Sequence, residues 1–118
     1  MKNIDIQQER TDYRLALEQT LQEIILMIHD MPEVEKVILF GSYAAGRRDL
    51  FTDLDLIVVM DSDQDFISRT GDLYIKFQPR VDLDLLVYTP EEFSKIQETG
   101  FIKLALATGQ VIYEKKWN

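Results

Sequence analysis

Apolar residues along the chain change their period several times, and each change marks a new element. Leu17, Leu21, Ile24, Ile25 and Ile28 recur at helical spacing, which predicts an amphipathic helix over about 12–29 with Thr11 or Asp12 as N-cap. Met31-Pro32 closes it. Val34 to Phe40 is a short run rich in branched apolar residues that ends at Gly41-Ser42, the pattern of a buried strand stopping at a tight turn. Tyr43 to Gly46 reads as the first turn of a short helix, 47–52 as a polar loop, and Leu54 to Met60 as a second buried strand. Ser62 and Asp65 look like a variant capping box before a helix reaching about Phe77, in which Gly71 is an unfavourable interior residue. Pro79 breaks that helix, and Val81 to Tyr88 forms a third strand. Thr89-Pro90-Glu91-Glu92 supplies an N-cap, a proline at the first helical position and the glutamate of a capping box, so a helix follows at once. A last helical stretch from Ile102 to Thr108 ends at Gly109, and Val111 to Tyr113 adds a short strand.

This succession predicts an α/β (α+β) fold, one small mixed β-sheet flanked by helices, with the core over about 34–113. The 118 residues, 46% apolar and 10% aromatic, fit one domain over 1–118. A domain of that size buries roughly two-thirds of its unfolded surface and leaves little room for a separate acceptor-binding domain. The chain has no cysteine and a single histidine, His29, which excludes disulfides and thiolate metal sites and argues against zinc. His29 itself is placed to meet the C-terminal dipole of the first helix, a structural role. The first seven residues hold no signal-peptide core, and no run approaches the roughly 18 apolar residues of a membrane span, so a cytoplasmic location is expected. A formal charge of −8 argues against a partner held by many phosphate contacts, which disfavours nucleic-acid polymerisation. Acidic residues gathered around bound cations are partly neutralised, so a single nucleotide meets less repulsion than the whole-chain charge implies.

The candidate chemistry lies in the carboxylates. Asp53 and Asp55 stand at the start of the second strand, and strand alternation turns both to one face. A solvated reading is open for this pair: Asp53 capping a loop, Asp55 on a wet edge. Asp82 and Asp84 form a second alternating pair in the hydrophobic run 81–87, where a carboxylate is costly unless paired or bound to a cation. If the second and third strands are neighbours, at a spacing of about 4.8 Å, Asp84 joins Asp53 and Asp55 around a common point. Oxygen donors of this kind suit Mg²⁺ or Mn²⁺. The Gly41-Ser42 turn ahead of a helical turn presents backbone N–H groups and a hydroxyl to a polyphosphate, although a turn that merely needs glycine looks the same.

Gly41-Ser42, ten residues, then Asp53-Leu54-Asp55 reproduces the G-S-x10-D-x-D signature of the minimal nucleotidyltransferases in the DNA polymerase β-like superfamily, and the chain resembles that family from about 34 to 113. Asp84 stands five residues before Thr89, as the family's third metal-binding aspartate does, which favours Asp84 over Asp82. Asp82 is left as a solvated residue or an outer neighbour of the metals. One departure is Ala45, where the family commonly has arginine; Arg47 and Arg48 are either substitutes or solvated loop charges.

The resemblance implies a nucleotidyltransferase fold and transfer of a nucleoside monophosphate, most often AMP from ATP, to an acceptor hydroxyl. It implies two Mg²⁺ ions on Asp53, Asp55 and Asp84, with Gly41 and Ser42 on the departing phosphates. Members of this size resemble the antitoxin of paired systems whose toxin is a small helical HEPN-type protein, with a toxin tyrosine as acceptor. A non-catalytic antitoxin that neutralises by binding is the rival, and an aminoglycoside-type enzyme a more distant one.

Overall fold

The computed structural model describes residues 5–116. The chain starts with helix α1 (Ile6–His29), then strand β1 (Val34–Phe40), the single turn α2 (Gly41–Ala44) and strand β2 (Leu54–Met60). Helix α3 (Phe66–Phe77), strand β3 (Leu83–Tyr88), helices α4 (Pro90–Ile96) and α5 (Gly100–Thr108) and strand β4 (Gln110–Glu114) complete it. The sheet order is β3-β2-β1-β4. β1 runs antiparallel to both β2 and β4, while β2 and β3 are parallel, so the sheet is mixed as expected.

Strand alternation sorts the core into two layers. Val37, Leu39, Leu54, Leu56, Val58, Leu85 and Val87 pack against Leu17, Ile24 and Ile28 of α1 and Leu73 and Phe77 of α3. On the opposite face Ile38, Phe40, Ile57 and Val59 meet Phe93 of α4 and Ile102 and Ala105 of α5. Leu56 and Ile57 are adjacent in sequence and each fully buried, one in each layer, so truncating either to alanine costs about 2–5 kcal/mol.

The first helix begins earlier than periodicity indicates. Asp5 is the N-cap, its carboxylate accepting from the Gln8 backbone N–H at 3.1 Å, while Thr11 and Asp12 lie inside the helix and make only local bonds. Residues 6–10 are exposed, so this end carries no apolar stripe to read. At α3 the expected capping box is absent: Asp65 is itself the N-cap, accepting from the Ser68 N–H at 2.8 Å, and Ser62 closes the preceding turn on Gln64. The short helix α2 starts at Gly41 rather than Tyr43. At α4 the box is present as read, with Thr89 and Glu92 bonding each other's backbone N–H groups.

The open edge of β3 is covered by side chains. Tyr74 donates its hydroxyl to the Leu83 carbonyl at 2.7 Å and accepts from the Leu85 N–H at 3.1 Å. Further along, buried Arg69 donates to the Val87 carbonyl at 3.0 Å and to the Gln64 carbonyl, and pairs with Glu92. These bonds satisfy backbone groups that an edge strand otherwise offers to another chain.

Candidate active site

The two core layers decide which way the carboxylates point. Leu54, Leu56 and Val58 enter the α1/α3 layer and Ile57 and Val59 the α4/α5 layer, so Asp55 shares the second face. The parallel register sets Asp84 directly beside Asp55, and on its other flank Asp55 pairs with Phe40, the last residue of β1. The chain then turns at Gly41 onto the Asp55 side chain. A Cβ on Gly41 would stand 2.2 Å from Asp55 Oδ2, and the residue has φ +75°, so both the contact and the backbone require glycine.

Asp55 is partly buried, and its carboxyl is pushed up to about 6, first by that burial and then by hydrogen bonding and charge from Asp84 and charge from Asp53. Asp53 is half-buried and Asp84 exposed. The structure therefore places Asp53, Asp55 and Asp84 in one electrostatic group, with Asp55 as its inner member. The expectation that Asp82 and Asp84 are carboxylates in a buried strand is corrected: β3 starts at Leu83, both side chains are exposed, and the desolvated carboxylate is Asp55 on the central strand.

Among the described residues no three His, Cys, Asp or Glu side chains form a ready-made metal cage. Mg²⁺ does not need one, because it keeps several waters and is commonly held by one or two carboxylates together with substrate phosphates. Two features fit such an ion: an oxygen-only donor set, and a carboxyl, Asp55, whose ionisation is opposed by burial and by its hydrogen-bonded neighbour Asp84, an opposition a cation would relieve. Gly41 leaves the space beside Asp55 free of a side chain.

The loop between α2 and β2 is built around Asp49 and Thr52. Asp49 accepts from the Phe51 N–H and the Thr52 hydroxyl, and Thr52 accepts from the Asp49 N–H. Arg47 pairs with Asp49 at 2.6 Å, whereas Arg48 lies over the Tyr43 ring at 3.5 Å and donates to the Tyr43 carbonyl. Both arginines thus hold the loop's own shape, and exposed Ala45 brings no charge to the turn. Ser42 is half-exposed at the start of α2. His29 packs edge-on against Tyr113, ring centroids 5.1 Å apart, at the far side of the sheet.

Three side chains bond main-chain groups far along the sequence: Tyr13, whose hydroxyl donates to the Thr52 carbonyl at 2.7 Å, Tyr74 and, at the opposite end of β3 from the carboxylates, Arg69. Arg69 stands out in the sequence as a charge on the buried stripe of α3 with Leu73 and Phe77, whereas Tyr13 and Tyr74 read as ordinary core-packing aromatics.

Comparison with known proteins agrees with this fold. Residues 22–118 match the family described as polymerase beta, nucleotidyltransferase. A Methanocaldococcus jannaschii protein named "putative protein adenylyltransferase" is 35% identical over 81 residues, 68% of this chain and 79% of its own length. Among solved structures, one from Sulfolobus solfataricus, assigned by inference as a nucleotidyltransferase, superposes with a TM-score of 0.55 at 16% identity, covering 97% of this chain and 91% of that one. A toxin–antitoxin structure with AMP-PNP gives a TM-score of 0.51 at 22% identity, covering 80% and 73%. These two likenesses concern the fold. No helix among the described residues is long and apolar enough to cross a membrane. The chain belongs to the polymerase beta nucleotidyltransferase family.

Proposed function

We propose that residues 1–118 act as one catalytic unit that transfers AMP from ATP to the hydroxyl of a tyrosine on a helical HEPN-type toxin, releasing pyrophosphate. The observation that carries this reading is the crowding of Asp55 between Asp84, Asp53 and the side-chain-free Gly41. Such an arrangement is costly for folding alone and useful for holding cations against a triphosphate. The relative named for protein adenylyltransfer and the fold shared with a toxin–antitoxin structure carrying AMP-PNP support the acceptor class and the nucleotide.

In this reading Asp53, Asp55 and Asp84 would hold two divalent ions, Mg²⁺ or Mn²⁺, which when bound would neutralise the charge that develops in phosphoryl transfer. Asp55, the inner carboxylate, would anchor those ions. Asp84 faces solvent, where an acceptor arrives, and takes the proton of its hydroxyl. The freed oxygen forms a bond to the α-phosphorus, the bond to the β-bridging oxygen breaks, and the electron pair leaves with pyrophosphate. Gly41 and Ser42 hold the departing β- and γ-phosphates through backbone N–H groups and the Ser42 hydroxyl. The single turn α2 is too short for a strong helix dipole, so this grip rests on local hydrogen bonds.

The test is incubation with α-labelled ATP, GTP, CTP and UTP plus Mg²⁺, with and without a HEPN-type partner protein. Label from ATP should pass to that protein, and Asp53→Ala or Asp55→Ala should abolish transfer. A tight complex without label under every condition would instead establish neutralisation by binding.

A further inference from the structure

Asp55 lies on an inner strand and is held by ladder partners on both sides, Phe40 and Asp84. Asp53 and Asp84 have no such support: Asp53 precedes β2, and Asp84 is on the sheet edge. Each is flanked instead by a tyrosine hydroxyl bonded to the main chain. Tyr13, from α1, donates to the carbonyl of Thr52 at 2.7 Å, immediately before Asp53, and Thr52 is itself fully buried. Because a peptide unit is planar, fixing the Thr52 carbonyl fixes the Asp53 N–H with it. On the other side of Asp53, the Leu54 N–H donates to the Asp82 carbonyl at 2.9 Å. Tyr74, from α3, donates to the carbonyl of Leu83 at 2.7 Å and accepts from the N–H of Leu85 at 3.1 Å, so one hydroxyl bonds both peptide groups around Asp84.

Neither tyrosine touches a carboxylate group in these bonds. The Tyr13 hydroxyl does stand in their field, since its pKa is raised by burial and by the charges of Asp82, Asp53 and Asp49. Tyr13 also lies outside the 22–118 stretch that matches the family, so its contribution belongs to this chain's N-terminal helix.

We infer that Tyr13 and Tyr74 are positioning residues: their hydroxyls stand in for missing ladder partners and hold the backbone of Asp53 and Asp84 where the two side chains can share divalent ions with Asp55. This rests on the proposed metal-dependent reading. Outer partners of metal ligands commonly alter affinity by about 10- to 100-fold, and a bond one peptide removed from the ligand should fall at the lower end of that range.

The test is Mn²⁺ binding to the folded full chain, followed by electron paramagnetic resonance, for wild type, Tyr13→Phe, Tyr74→Phe and the control Tyr113→Phe on β4. Each clamp variant should bind Mn²⁺ about tenfold more weakly and need correspondingly more Mg²⁺ for half-maximal transfer, while Tyr113→Phe matches wild type. If wild type binds Mn²⁺ and both clamp variants bind it equally well, the hydroxyls only support the fold and the inference is wrong, with the functional reading untouched. If wild type itself binds no Mn²⁺, the functional reading and this inference fall together. Should Tyr74→Phe not fold, Tyr13→Phe decides alone, because its hydroxyl bonds a loop carbonyl rather than an edge strand.

Discussion

The two ends of the β2–β3 pair treat charge in opposite ways. At the C-terminal end, Arg69 is almost fully buried yet every direction it faces is answered: the Val87 and Gln64 carbonyls and the Glu92 carboxylate, which also caps α4. At the N-terminal end, Asp55 is desolvated beside two carboxylates. The first arrangement ties α3, β3 and α4 together. The second opposes folding until something positive arrives. Opposite solutions within one pair of strands separate a buried charge that adds to stability from one that costs it, a distinction that residue type alone does not make.

Breaking the paired end should produce the largest loss of stability. Arg69→Ala leaves a strand carbonyl and a carboxylate without their partner and should lower unfolding free energy by about 3 kcal/mol in denaturant titration. Metal binding in the remaining folded fraction should be little changed. Next comes Gly41→Ala, whose Cβ would meet the Asp55 carboxylate. Displacing that group by about 1 Å should reduce AMP transfer by on the order of 10²-fold.

Neutralising the crowded end should have the opposite sign. Folding raises the Asp55 pKa from an ordinary value of about 3.9 to about 6, so the native state binds more protons across that window. Its contribution to stability therefore falls as pH rises through the window and is fully unfavourable above it. Asp55→Asn should raise the metal-free unfolding free energy at pH 8 by about 1–2 kcal/mol after allowance for solvent screening, with little effect at pH 4 and with transfer lost. Glu92 runs the other way: its pKa is lowered by the Thr89 backbone bond and by Arg69, so what it adds is present above its unfolded value and is lost as pH falls. A pH series on Glu92→Gln, compared with Asp55→Asn, should show these slopes crossing.

The smallest change tests whether the contrast is confined to the strand ends. Gly71 lies exposed within α3, with open space where a Cβ would go, so Gly71→Ala should stabilise by about 0.5–1 kcal/mol at every pH and leave transfer unaltered.

Much of the fold was legible in the sequence because the strands are short apolar runs between turn residues, and β1 and β2 lie where those runs predict. The capping box at Thr89 was legible for a similar reason, since its chemistry is local. The start of α1 was not, because its first turns are exposed and carry no periodic stripe. In the site, spacing and resemblance together singled out Gly41, Asp53, Asp55 and Asp84, and the β2–β3 register brings Asp55 and Asp84 side by side. The ranking among them required three dimensions: a hydrophobic run made Asp84 look buried, whereas Asp55 on the inner strand is the desolvated carboxylate. Tyr13, Tyr74 and Arg69 act on backbone groups 39, 9 and 18 residues away, and no local pattern encodes such pairings.

The claim that Asp55 exchanges a proton for a divalent cation has a direct measurement. Mn²⁺ is titrated calorimetrically at pH 5.5 and at pH 8, each in two buffers of different ionisation enthalpy. Release of most of one proton on binding at pH 5.5, none at pH 8, and neither signal in Asp55→Asn is the predicted result. Mn²⁺ binding of equal strength in Asp55→Asn, or binding without proton release at pH 5.5, would contradict it.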